Sequence, residues 1–495
     1  MTSSGLLVEG GFVYTADEHH TILPSGSVLI VDDRIVAVGD RVEVAGALAR
    51  LPAEAGDRIQ RLDAEGMVVL PGLVNAHWHE MFALRLPFKG ALRDPSDRDD
   101  AAGFMAHGGD IPRLSLAFDS FSHVSEGMTE EEADAIARYS LWTQLRSGTT
   151  TVGDAGSLNR PDRIAAAAQA LGMRASITTW ASDAVCPPGE NEYRRTRDAD
   201  AVLSRTEELL QRYPAEPGGL VRSAASALYV TNLSDELGHG LRDLAQHYDT
   251  PFLTHVGALR NEPEAVRTYY GATSVRRLDD LGLLSERLMA IHCAFADHEE
   301  RKRLVASNAH ISHSPAKYGS TGESTMSETK TIPELMRSGL DVSLSTDGAS
   351  LPIGGMPEAM TAAWQLHNEM AADPCHLPPT QALAMATRLA ARGLRWADEI
   401  GSLEKGKQAD LILIPADDWR YLLNPRPLEA FLTLGGSNDV DTVIVAGKVR
   451  LSGGHHPEFD EAAITEHYLH ALRSFSARQL DLDEAVLARV FDGRS

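Results

Sequence analysis

Short apolar runs alternate with polar, helix-periodic stretches through the middle of this 495-residue chain, while strand-type alternation gathers at its two ends. Residues 67–400 carry eight strand candidates, at 67–75, 149–154, 174–178, 221–226, 252–255, 288–292, 310–313 and 341–347. Most are brief Val, Ile, Leu, Ala or Thr runs followed by a helical stretch. Eight such units predict an α/β fold, a distorted (β/α)8 TIM barrel. An open doubly wound sheet would more often carry a Gly-rich phosphate turn, and none is present. Ahead of them, Leu6 to Val8, Phe12 to Tyr14, Ser27 to Val31 and Ile35 to Val38 read as hairpins punctuated by Gly and Asp. Similar β vocabulary returns at 401–414 and 442–449. The two ends together predict a small β-sandwich domain, residues 1–66 with 401–456, around a 67–400 barrel. Residues 457–495 are expected as a helical tail, with Ile464, Tyr468, Leu472 and Phe475 at helical spacing. The long first connection, from about Phe82 to Met128, is a candidate lid or substrate wall.

Charge narrows the partners. Lys and Arg total 46 against 70 Asp and Glu, a net charge of −24 that disfavours nucleic acid and anionic membranes and leaves a small molecule as the expected ligand. No basic segment leads into an apolar core and no apolar run reaches spanning length, so a cytoplasmic protein is expected. Symmetric association being common, a homo-oligomer of two or more copies is expected. Three cysteines far apart, Cys186, Cys293 and Cys375, suggest neither a disulfide framework nor a thiolate zinc site.

Any metal must therefore rely on His and carboxylate, and both stand at strand ends. His77 and His79, two apart, point to one face of a continuing strand while Trp78 points away. The last polar residues of the other strands include Asp154, His255, His292, His313 and Asp347. C-terminal strand ends converge in a (β/α)8 barrel, bringing residues distant in sequence to one place. Three neutral imidazoles and a carboxylate suit a borderline divalent ion, Zn²⁺ first, with Fe, Mn or Co as competitors and a position left open for water. Asp347 beside the ion is a candidate proton acceptor and donor, and His292 a candidate stabiliser of developing charge. Singly, each has a plainer reading: Asp154 as a helix cap, His310 and His313 as satisfied polar groups.

The ordered motifs resemble the metal-dependent amidohydrolase superfamily. They are Pro71-Gly-Leu-Val-Asn-Ala-His-Trp-His, Gly148-Thr-Thr-Thr-Val, Thr254-His255, Ile291-His292-Cys293, Ser312-His313-Ser-Pro315, Ser345-Thr-Asp347-Gly348 and the 401–410 segment. The branch is that of triazine hydrolases and cytosine- and guanine-type deaminases, closest in feel to phenylurea and molinate hydrolases. The resemblance implies metal ligands at His77, His79, His255 and Asp347, with His292 beside them and His313 facing substrate. Two departures matter. Branches holding two metals bridge them with a carboxylated lysine on strand four, and 221–228 has no lysine, so one ion is expected. Deaminases of this branch carry His-x-x-Glu on strand five, whereas here Ala258 stands at the Glu position. The expected reaction is therefore cleavage of a non-peptide C–N bond in a urea, carbamate, thiocarbamate or amide by a metal-activated hydroxide. The alternative is deamination or dechlorination of a nitrogen heterocycle, with Glu262 or His107 replacing the absent acid. Trp78, with apolar residues of the first connection, is a candidate substrate wall. A catalytically silent scaffold would not need to keep all four ligand residues.

Overall fold

The computed structural model describes residues 5–56, 58–80, 110–322, 324–348, 355–422 and 424–479. The candidate His107 and the apolar residues between Met81 and Met105 lie outside them.

Both chain ends enter one eight-stranded sheet. Gly5–Tyr14, Ile22–Val31 and Arg34–Asp40 pair antiparallel in order. Met67–Pro71 runs parallel to the first of these and antiparallel to Leu411–Pro415, which pairs onward with Thr442–Val445 and Lys448–Leu451. The expected sandwich is thus a single sheet by pairing, because Met67–Pro71 offers one edge to each end of the chain. Strand alternation divides its faces. Val8, Val28 and Ile30 share one apolar cluster with Val69, Leu411 and Ile444, while Leu7 and Leu29 meet Val44 of the helix Arg41–Leu48 on the other.

The middle of the chain gives two parallel sheets. Leu73–Trp78, Thr149–Asp154, Arg174–Ile177 and Val221–Ser223 form a four-stranded one. Ala225–Tyr229, Phe252–Val256, Leu288–His292, His310–His313 and Val342–Leu344 form a five-stranded one. The fourth candidate strand is split at Ala224 and serves both. First and last strands meet at one isolated parallel bridge, Trp78 with Asp347. Asn75 reinforces it, accepting from Thr346 N at 3.0 Å and donating to Thr346 Oγ1 at 2.7 Å. No continuous ladder closes the ring among the described residues, so the fold is mixed α/β with TIM-barrel-like parallel strands. All six residues of Leu73–Trp78 are buried, as expected where helices cover a parallel sheet.

Two contacts tie these parts together. Arg174, fully buried at the start of its strand, donates to Asp410 and Gln408 beyond the last turn of the parallel region. The helix Glu461–Gln479 buries the predicted Ile464, Tyr468, Leu472 and Phe475 and stacks Tyr468 on Tyr139 of Glu130–Arg146 at 3.9 Å. That second helix starts at a capping box in which Thr129 and Glu132 satisfy each other's backbone N–H. No helix among the described residues is long and apolar enough to cross a membrane.

Candidate metal centre

Strand register does the gathering. His77 is the next-to-last residue of the first parallel strand, Leu73–Trp78, His79 lies one residue beyond it, His255 is the fourth residue of Phe252–Val256, and Asp347 follows Val342–Leu344. Their ligand atoms all lie within 4.8 Å of one another. Asp347 Oδ1 is 3.4 Å from His77 Nε2 and 3.2 Å from His79 Nε2, and His79 Nε2 is 3.4 Å from His255 Nε2. His292, at the end of Leu288–His292, places Nε2 3.3 Å from the other oxygen of Asp347, Oδ2. The backbone is strained here: His292 has φ 80° and Asp347 φ 57°, values an L-residue adopts at a cost and which cluster at functional sites.

The residues fit a divalent cation. His255 Nδ1–H donates to Leu228 O at 2.6 Å, which leaves Nε2 with a lone pair facing the group. His77 is fully buried; its Nε2 faces Asp347 Oδ1, and its Nδ1 has no hydrogen-bond partner among the described residues. Burial pushes His77 down to about 4 and His255 well below the usual histidine range, so both imidazoles are neutral donors at physiological pH. Burial alone would raise Asp347, but the Lys317 charge and hydrogen bonds from His77 and His79 hold it well below the usual carboxylate range. Three histidines and one carboxylate are a zinc donor set that leaves room for a further ligand.

The remaining sequence candidates fall in three places. His313 is buried at the end of His310–His313, its Nε2 3.4 Å from Nε2 of His367, and its Nδ1 has no partner among the described residues. Asp154 stands apart from the ligand group. It accepts from Gly156 N and Thr178 N and shares its burial with Glu80, whose carboxylate takes the Ser157 hydroxyl and Leu158 N. Trp78 is 2% exposed inside the main apolar cluster, the position its alternation away from the two histidines implies. Glu262 opens the helix Glu262–Tyr270 and is fully buried; its carboxyl accepts from Gly257 N, Ala258 N and the Tyr229 hydroxyl. Tyr229 in turn stacks on His255 with centroids 5.8 Å apart. Glu262 therefore braces the metal side of the site through Tyr229. His310 bonds to Ser343 Oγ at 2.8 Å, the satisfied polar group its plainer reading predicted.

Sequence reading missed Lys317, Tyr318 and His367. Lys317 Nζ donates to Asp347 Oδ2 at 2.6 Å, and the Tyr318 hydroxyl lies 2.8 Å from His292 Nδ1. The signal was Pro315 at the opening of the helix Pro315–Thr321, directly after His313: a helix starting there turns Lys317 and Tyr318 back over the strand ends. His367, on Met356–Ala371, gave no local signal. Strand four holds no lysine; its Arg222 stacks over Trp396 at 3.7 Å and pairs with Glu399.

Residues 68–450 match the model of the amidohydrolase family. The chain is 30% identical over 454 residues to a 5-methylthioadenosine/S-adenosylhomocysteine deaminase of Moorella thermoacetica, covering 90% of this chain and 95% of the relative. A protein of the same name from Syntrophobacter fumaroxidans is 29% identical, with 90% and 92% covered. Among solved structures, a zinc-bound adenosine deaminase from Xanthomonas campestris superposes with TM-score 0.77 at 23% identity, covering 97% of this chain and 99% of that one. The zinc complex of atrazine chlorohydrolase TrzN from Arthrobacter aurescens TC1 gives TM-score 0.77 at 23% identity, covering 94% and 100%. Deaminases in sequence and triazine-hydrolase-like proteins in fold agree with the branch that the motifs suggested, and they correct only its finer kinship to phenylurea and molinate hydrolases. The cofactor is a divalent metal ion, in keeping with zinc in both solved relatives and the ligand cluster at His77, His79, His255 and Asp347. The chain belongs to the amidohydrolase family, metal-dependent hydrolases of carbon–nitrogen bonds other than peptide bonds.

Proposed function

We propose that this protein hydrolytically displaces an amino group, or a chloride, from the ring of a nitrogen heterocycle of the kind its relatives' names carry. The observation that carries the proposal is the match, over nine-tenths of the chain, to deaminases of adenine-bearing compounds. It replaces urea or carbamate cleavage as the first reading. In domain terms we assign the chemistry to residues 67–400, with 1–66 and 401–456 as a supporting β domain and 457–495 as a tail.

His77, His79, His255 and Asp347 would hold a divalent ion, which would supply Lewis acidity and lower the pKa of a water toward neutrality. Asp347 Oδ2, turned toward His292, is the acceptor for the proton that water gives up. His292 is held by Tyr318 at Nδ1, so Nε2 is the nitrogen it offers to charge developing on the substrate. Burial keeps His292 down to about 3, so it acts as a neutral hydrogen-bonding group. His313 Nδ1 is the polar contact for the substrate ring, and Trp180, edge to face with His79, and Tyr229, stacked on His255, with Phe118 packed between them, form its aromatic wall.

One observation favours the second reading, cleavage at an exocyclic carbonyl. Ala258 stands where branch deaminases carry their acid, and Glu262 is fully occupied by Gly257, Ala258 and Tyr229. The test is a screen of zinc-loaded protein against aminated and chlorinated heterocycles, ureas, carbamates and amides. Ammonia or chloride release is expected; release of a substituted amine alone would favour the second reading.

A further inference from the structure

Two buried imidazoles, His313 at the end of its strand and His367 on the helix Met356–Ala371, face each other through Nε2 at 3.4 Å, with their rings nearly perpendicular at 85°. Neither is more than 1% exposed. Burial holds His367 down to about 4 and His313 well below the usual histidine range, so both are neutral at physiological pH. A neutral imidazole carries hydrogen on one nitrogen and a lone pair on the other. A hydrogen bond between the two Nε2 atoms therefore makes the outer nitrogens unlike: one Nδ1 bears a hydrogen and the other a lone pair.

Neither Nδ1 has a partner among the described residues, yet the two places differ. His313 lies beside Tyr318, whose hydroxyl is at His292 Nδ1, and its own Nδ1 is the atom assigned above to the substrate ring. His367 Nδ1 is enclosed on the buried face of its helix, with no substrate to meet. An orphaned N–H is the rarer and costlier defect in a protein interior, an under-used acceptor the commoner one. The hydrogen therefore belongs on His313 Nδ1, where a ligand can accept it, and the lone pair on His367 Nδ1.

We propose that His367 is a positioning residue: it donates Nε2–H to His313 and so fixes His313 as an Nδ1–H donor toward the substrate. The preferred heterocycle then presents a lone pair where His313 reaches, on a pyridine-type ring nitrogen or a ring carbonyl oxygen, and a ring with N–H or C–H at that place is disfavoured. The inference rests on the hydrolytic reading above and sharpens its substrate class.

The test is ¹⁵N-histidine NMR on zinc-loaded full chains of wild type, His367→Phe and His367→Gln, with His313→Asn identifying the His313 signals by their loss. Wild type should show His313 protonated at Nδ1 and bare at Nε2. In His367→Phe that form should no longer dominate, whereas His367→Gln, whose amide can still donate to Nε2, should keep it. If the Phe variant does not fold, His367→Leu takes its place. In kinetics, aminoheterocycles that differ by ring nitrogen against C–H at successive positions form one arm, and rings bearing a carbonyl form another. One position is expected at which loss of the acceptor raises KM about ten-fold in wild type and within about three-fold in His367→Phe. Wild-type His313 protonated at Nε2, or a tautomer unchanged in His367→Phe, overturns the proposal. So does a Gln variant that matches Phe, or a His367→Phe that lowers kcat equally for every ring, since either would mean that His367 only fills space. If no heterocycle is hydrolysed while the His313 tautomer still follows residue 367, the hydrolytic reading fails and the fixed donor stands.

Discussion

Asp347 and Glu262 are both shut away from solvent, yet their carboxyls move in opposite directions. Burial raises both. At Asp347 it is overridden by the Lys317 charge and by hydrogen bonds from His77 and His79, which hold the group well below its ordinary range. At Glu262 hydrogen bonds from Tyr229, Gly257 and Ala258 oppose burial and still leave the carboxyl raised. A full charge at contact distance in a low-dielectric site outweighs several neutral dipoles. The lesson is one of division: Asp347 is kept ionised to bind and to take a proton, and Glu262 holds the loop after strand five and the ring against His255.

Removing the Asp347 charge should do the most damage. Asp347→Asn is expected to lower kcat/KM about 1,000-fold or more, and to destabilise the metal-free protein by about 3–5 kcal/mol by breaking the buried ion pair with Lys317. Steady-state kinetics and urea unfolding read the two effects. Glu262→Gln should cost only about 1–3 kcal/mol of stability, with activity within about ten-fold of wild type. An inactive Glu262→Gln protein that keeps its metal would move Glu262 into the chemistry and erase the contrast.

Tyr318→Phe, which frees His292 Nδ1, should lower kcat about ten-fold with KM and metal content little changed. An effect on KM alone would make Tyr318 a binding residue instead.

The pH dependence sharpens the same comparison. Burial lowers His77 and His367 to about 4 and His292 to about 3 from an ordinary value near 6.5. Between about 6.5 and 4 the unfolded chain binds more protons than the folded one, so metal-free protein should lose stability as pH falls through that window. Asp347, lowered, adds stability that is present above the unfolded carboxylate value and is lost only at still lower pH. Glu262, raised, has the opposite sign: it stabilises at low pH, and that contribution is lost as pH rises through its folded value. Urea midpoints from pH 4.5 to 8 should therefore fall on the acid side in wild type, and Glu262→Gln should remove the small opposing term.

How far the site was legible follows from where its residues sit. His77, His79, His255, His292, His313 and Asp347 each end or follow an apolar run, and strand periodicity with barrel convergence places such residues together. Lys317 and Tyr318 belong to a helical turn whose orientation is set by packing, so their pairing with Asp347 and His292 was legible only as a helix start at Pro315. His367 meets His313 from 54 residues away in sequence, on a helix with no strand-end marker. Glu262 was identified, but whether it faces substrate or its own loop depends on the turn at Gly257, where φ is +60°. The two end segments were recognised as one β unit; that they share a continuous sheet depended on Met67–Pro71 having an edge free for each, which no local pattern states.

Metal stoichiometry tests the central claim most directly. Protein purified without chelators and analysed by mass spectrometry for zinc, iron, manganese and cobalt should carry one divalent transition-metal ion per chain, and His255→Ala should carry none after the same dialysis. A wild-type chain that holds no such ion and gains no activity when each is supplied, or a His255→Ala chain that keeps its ion, would contradict the account.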